Sequence, residues 1–166
     1  MRPAYHGEIG REPLWAVLSE TAESAAYLIA SACDRVTVPR SGSTGGVGLI
    51  CAHADVSGAL KQQGLAVTLI QYGARKSDGT ETAPLSDPAL AALQADIDAL
   101  GNMMVESVSR NRGMKPAAVR AAKGAAFLGA AGVRAGFANA VQAPDAACRD
   151  LLATMAEARE RRRRRA

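Results

Sequence analysis

The stretch TAESAAYLIASACDRV, residues 21–36, sets one serine, Ser24, ahead of an apolar, alanine-rich run that ends in Cys33, Asp34 and Arg35. Serine is a favoured helix N-cap, because its oxygen accepts a hydrogen bond from an orphan amide of the first turn. The setting offers a second role. A short apolar run, Leu14-Trp15-Ala16-Val17-Leu18, precedes Ser24 and reads as a buried strand, and the segment from Ser24 to about Cys33 reads as a helix. Where a strand feeds a helix through a tight link, first-turn amides can face a negative charge developing beside the hydroxyl. The residues alone leave cap and nucleophile both open.

Working outward, Arg35 to Val38 is a brief β-branched strand stopped by Pro39. RSGSTGGVGLI, residues 40–50, is a glycine-rich loop entering another strand. Asp55 to Gln63 is predicted as a helix ending at Gly64, Ala66 to Tyr72 as a strand, and Gly73 to Pro84 as a polar loop. From Asp87 the pattern changes, with Pro88 suited to a first helical position. Leu90, Leu93, Ile97, Leu100, Met104 and Val108 then recur at helical spacing as far as Gly113. Pro116 opens a helix to about Lys123, Phe127 and Leu128 form an extended link, and Ala130 to Gly136 is another helical turn or two. Pro144 starts a terminal helix that runs into the arginines. Alternating strands and helices followed by a helical C-terminal part predict an α/β layered domain.

Composition limits the function classes. With 166 residues and 48% hydrophobic content the chain can bury the core of one domain. Aromatic residues make up only 4%, so that core must be built largely from Ala, Val, Leu, Ile and Met. The net charge of +4 is concentrated in the run Arg161 to Arg165. Without aromatic interleaving, such a run reads as a solvated or partner-contacting end, which disfavours nucleic-acid recognition. Cys33, Cys51 and Cys148 are odd in number, lack zinc spacing and read as small core residues of a reducing compartment. No signal-type segment opens the sequence, and no stretch has the roughly 18 apolar residues of a membrane span, so a cytoplasmic location without membrane attachment is expected.

If Ser24 is a nucleophile it needs a base. His6 lies in the irregular leader and His53 follows a predicted strand, and neither fits a triad order. A lysine would have to release its proton near neutrality, a fall from about 10.4 towards 7 to 8 that costs about 4 kcal/mol. Lys61 and Lys123 lie on helices and Lys115 precedes one, whereas Lys76 sits in YGARKSDG just after a predicted strand. The stretch GSTGGVG has no closing Gly-Lys-Ser/Thr and does not match a dinucleotide fingerprint, which argues against nucleotide binding. Its glycines suit close approach of another backbone, such as a peptide added along a strand edge.

SAAYLIASACDRVTVPRSGSTGGVGLICAHADVSGAL, followed by GLAVTLIQYGARKSDG, resembles the signal peptide peptidase family of serine peptidases, and in particular its phage and prophage branch of capsid assembly proteases. The resemblance runs from about Leu14 to Val141 and implies a ClpP/crotonase-like fold. In that family the serine of an Ala-Ser-(Ala/Gly)-(Ala/Gly)-Tyr segment is the nucleophile, and in single-domain members a lysine in a Gly-Ala-(His/Arg)-Lys segment is the general base. The matching residues are Ser24 and Lys76, 52 positions apart. The resemblance further implies the amide of Ala25 as an oxyanion donor and Gly42, Ser43, Gly45 and Gly46 as lining for an extended peptide substrate. It implies peptide hydrolysis without metal or cofactor, a protein or peptide substrate such as a capsid or scaffold protein, and a homo-oligomer.

Two features depart from the family pattern. Glu23 stands where a small residue is usual, and a carboxylate buried near Lys76 would favour the charged ammonium. Only an irregular leader, residues 1–13, precedes the peptidase-like segment 14–143, so the strands and glycine turn that supply a second oxyanion amide are expected to be missing from an N-terminally truncated member. One lost donor costs on the order of a hundred- to thousandfold in rate. The alternative expectation is therefore a non-catalytic remnant serving as a structural or assembly protein, with residues 144–166 forming a C-terminal helix and basic tail.

Overall fold

The computed structural model describes residues 13–164. His6 and the rest of the leader before Pro13 lie outside the described residues. In chain order the elements are β1 (Trp15–Val17), β2 (Ala22–Glu23), α1 (Ser24–Ser31), β3 (Arg35–Val38), β4 (Ser43–Gly45), α2 (Ser57–Gln62), α3 (Asp87–Arg112), α4 (Pro116–Ala121), β5 (Ala126–Leu128), α5 (Ala130–Arg134), β6 (Ala140–Val141) and α6 (Pro144–Arg163). The fold is mixed α/β. The chain forms two compact units, one from the residues up to Gly48 and those from Asn102 onward, the other from Leu49–Gly101.

In the first unit β3 is the middle strand of a parallel sheet ordered β1-β3-β6. Its register sets Ala16 beside Val36 and Val17 beside Thr37 on one side, and Thr37 beside Ala140 on the other. A strand paired along both edges is expected to be largely apolar, and Val36, Thr37 and Val38 are fully buried. The β-branched run stopped by Pro39 therefore forms the strand that the sequence predicts. The Arg35 guanidinium lies 4.8 Å from the Trp15 ring centroid in a cation–π contact. The Asn139 side chain accepts the Val36 amide at 2.8 Å.

The second sheet of this unit is ordered β2-β4-β5. Here the expected glycine-rich loop contains a strand. Ser43–Gly45 pairs in parallel with β2 and antiparallel with β5, while the chain beyond it, to Val56, has no regular structure. The difference has a physical cause: Thr44 finds partners on both sides, Ala22 and Phe127, which overrides its glycine neighbours. Gly132 on α5 packs so closely on the Thr44 side chain that a β-carbon there would collide with it.

The core of the first unit gathers Tyr27 from α1, Val47, Met104, Val105 and Val108 from α3, Val119 from α4, and Phe137. Phe137 stacks on Phe127 and meets Tyr27 edge-on, each at a centroid distance of 5.3 Å. The Tyr27 hydroxyl donates to the Phe137 carbonyl at 2.8 Å, so its polar end is satisfied in the interior. Burial pushes the Tyr27 phenol well above its ordinary range, with the nearby Arg112 acting the other way.

Residues 49–101 hold α2 and the first part of α3. The predicted strand Ala66–Tyr72 has neither helix nor strand structure, and the segment exposes Ile70 (97%) and Tyr72 (101%). Strand pairing needs a neighbour, and among the described residues of this unit there is no strand. Along α3 the apolar stripe is buried at Met104, Val105 and Val108, whereas Leu90 and Leu100 are exposed. The cysteines also differ from expectation. Cys33 is half-buried, while Cys51, in an irregular segment, and Cys148, on the outer side of the polar helix α6, are exposed; all three are free thiols. No described helix is long and apolar enough to cross a membrane.

Candidate active site

Ser24 is the first residue of α1, directly after the two-residue strand β2. Its backbone has a φ of +53°, the left-handed region that costs a non-glycine residue on the order of 1–3 kcal/mol. Such a conformation persists only where the surroundings impose it. They do so through Gly46, whose own φ is +60°: a β-carbon there would stand 3.0 Å from the Glu23 β-carbon and 3.1 Å from the Ser24 nitrogen. The side chain of Ser24 is exposed at this bend. A strained, solvent-facing serine between a strand and a helix is not acting as a cap. The N-cap position belongs to Glu23, with extended backbone and no side-chain hydrogen bond to the helix.

Ala25 follows as the second residue of α1 and is exposed. Amides of a first helical turn have no acceptor within the helix. Those of α1 therefore stay available beside the Ser24 hydroxyl, in an arrangement able to stabilise a negative charge. Further along α1, Tyr27, Ala30 and Ser31 are buried and anchor the helix in the core. The Ser31 hydroxyl donates to the Leu28 carbonyl at 2.7 Å and accepts from Asn111 at 3.0 Å.

The glycine-rich stretch reaches the serine through its backbone. The register sets Glu23 beside Gly45, and the Gly46 amide donates to the Ala125 carbonyl at 3.0 Å. Gly42 is buried against the carbonyl of Glu20. β4 is paired on both sides and leaves no free strand edge, and it is Gly46, just beyond β4, that comes close to Ser24. Ser43 donates to the Glu23 carboxylate at 2.5 Å and shares a hydrogen bond of 3.1 Å with Thr21. Glu23, whose direction the sequence leaves open, is thus half-buried and tied to β4. Sequence reasoning missed this tie and the contact of Gly46 with Ser24. The glycine pair 45–46 was the only available signal for either.

Lys76 lies in the other unit, in a series of turns, with an exposed side chain. Its amide donates to the Gly73 carbonyl at 3.1 Å, and its neighbour Arg75 pairs with Asp78 at 3.0 Å. His53, in the same unit, is hydrogen-bonded through Nε2 to the Thr80 carbonyl at 2.9 Å. Lys61, Lys115 and Lys123 are all exposed. Ser24, Ala25, Gly42, Ser43, Gly45 and Gly46 are therefore brought together in the first unit, and Lys76 belongs to the second. Among the described residues no three His, Cys, Asp or Glu side chains gather as a metal site.

This strand, strained serine and open helix end lie within a segment that matches a known class of protein. Residues 10–158 match peptidase family S49, and the chain belongs to that family. Among its relatives, it is 37% identical over 129 residues to the head-tail preconnector protein GP5 of Enterobacteria phage P21, covering 78% of this chain and 26% of that protein. It is 34% identical over 128 residues to the capsid assembly protease C of Escherichia phage lambda, covering 77% of this chain and 29% of that protein. The chain thus spans less than a third of the length of these curated relatives.

Proposed function

We propose that the protein is a serine endopeptidase of the phage branch of the signal peptide peptidase type, with a ClpP/crotonase-like fold, acting on capsid or scaffold proteins. The observation that carries this reading is the left-handed backbone of Ser24 at the exposed mouth of α1. It gives the hydroxyl a direction that a capping serine does not need. Family membership and the capsid protease among the relatives support the reaction class.

In this reading Lys76, as the neutral amine, takes the proton of Ser24, and the serine oxygen attacks the scissile carbonyl. The Ala25 amide steadies the resulting oxyanion, and the amine then returns the proton to the leaving nitrogen as the peptide bond breaks. Water, deprotonated by the same lysine, releases the acyl group and restores the serine. The assignment of Lys76 rests on its segment Gly73-Ala74-Arg75-Lys76 and on its place along the chain after Ser24. The Gly42 to Gly46 stretch would flank the substrate beside Ser24. The working form is a homo-oligomer in the cytoplasm of a bacterial host, and the reaction uses no metal or cofactor.

The test is cleavage of casein or a scaffold protein by the wild type, Ser24→Ala and Lys76→Ala. Cleavage by the wild type alone supports the reading; equal cleavage by Ser24→Ala overturns it. A second reading, a non-catalytic assembly protein, is favoured by the exposed apolar residues Leu65, Val67, Leu69, Ile70 and Tyr72. A folded wild type with no cleavage at all would select it.

A further inference from the structure

We infer that Ser43 is a positioning residue, which holds the Glu23 carboxylate away from the open amide end of α1 so that these amides can receive the oxyanion. The inference rests on the reading of Ser24 as nucleophile and adds a component to that site. Glu23 occupies the N-cap position, one residue ahead of the first-turn amides. A carboxylate there is attracted by two things: the positive end of the helix dipole and N–H groups that lack acceptors. A Glu23 side chain folded over the helix mouth would place a fixed negative charge where the oxyanion must form, and would occupy the donors that stabilise it.

The structure shows the carboxylate elsewhere. It makes no hydrogen bond to the helix and accepts one from the Ser43 hydroxyl on the neighbouring strand, at 2.5 Å. Because the Ser43 proton points to Glu23, the 3.1 Å contact between Ser43 and Thr21 has Thr21 as donor. Thr21 to Ser43 to Glu23 is thus a directed chain, and it fixes the Ser43 hydroxyl in its donating orientation. Strand pairing supports it, since Ala22 and Glu23 lie in register beside Thr44 and Gly45. The hydroxyl is therefore already committed to Glu23 and acts on the reaction through it.

The experiment measures kcat and KM on a fluorogenic amide of a peptide ending in alanine. The full chain is compared as wild type, Ser43→Ala, Ser43→Thr, Glu23→Gln, the double variant Ser43→Ala/Glu23→Gln, and Ser24→Ala. Ser43→Ala should lower kcat roughly ten- to a hundredfold with KM unchanged, approaching the loss of an oxyanion donor. The double variant should return to within about threefold of Glu23→Gln, because a neutral amide no longer places a charge at the helix mouth. Ser43→Thr, which keeps the hydroxyl, should recover most of the rate. Thermal melts of Ser43→Ala and of the double variant within a few degrees of each other separate positioning from structural damage. An unchanged rate in Ser43→Ala, or a double variant as slow as Ser43→Ala, overturns the inference while a silent Ser24→Ala leaves the peptidase reading standing. Full activity of Ser24→Ala, or an inert wild type, overturns both.

Discussion

Gly46 lies so close to Ser24 that a β-carbon added to it would stand 3.1 Å from the Ser24 nitrogen. Both residues have positive φ, +60° and +53°, so each bend supports the other. Gly46→Ala must strain its own backbone and push against Glu23 and Ser24 together. We expect a stability loss of about 1–3 kcal/mol, and a fall in peptidase activity of tenfold or more because the hydroxyl shifts from its line of attack. Thermal melting and initial rates on the same preparation check this. A variant that loses stability yet keeps its rate would show that the bend is only architectural.

Tyr27 gives a prediction for the core. Tyr27→Phe leaves the buried Phe137 carbonyl without the donor that reaches it at 2.8 Å, and should cost about 1–3 kcal/mol. The phenol is held above its ordinary value by burial, so the folded state favours its neutral form. Its contribution is complete below the unfolded value of about 10 and is lost as pH rises through the higher folded value. Denaturant melts from pH 8 to 11.5 should show stability falling at the alkaline end in the wild type, and a flatter profile in Tyr27→Phe.

Much of this core is legible in the sequence. The run Arg35–Val38 is β-branched and closed by proline, and it forms the central strand with the predicted boundaries. Ser24 and the helix behind it also follow the predicted first strand, although the link between them holds a second strand, β2. Two things were not legible. Thr44 pairs on both sides with residues distant in sequence, Ala22 and Phe127, so no local pattern marks β4 as a strand. Ala66–Tyr72 has every local feature of a strand, but among the described residues of its unit there is no strand for it to pair with. At the site, residue types alone leave Ser24 open between cap and nucleophile and the family resemblance points to the nucleophile, whereas the Ser43 to Glu23 hydrogen bond depends on strand register, which spacing along the chain does not reveal.

Asp145 provides a test at the start of α6. Its carboxylate is held below its ordinary value by a hydrogen bond from Arg149, at 2.9 Å, together with the Ala146 amide. A depressed value means that the support is present above the unfolded value, about 3.9, and is lost as pH falls through the lower folded one. Amide protection of residues 145–149, followed by NMR, should weaken in the wild type as the pH is lowered from 5 towards 2. In Asp145→Asn it should be weaker at pH 6 and nearly constant across that range.

The central claim is that the Ser24 oxygen becomes acylated. The most direct measurement mixes the protein with an activated ester of a peptide ending in alanine, quenches in acid, and locates the adduct by mass spectrometry of the digested chain. The account predicts one acyl group, on the peptide carrying Ser24, absent from Ser24→Ala and formed at least about a hundredfold more slowly in Lys76→Ala. An adduct on any other residue, or one that persists in Ser24→Ala, would contradict it.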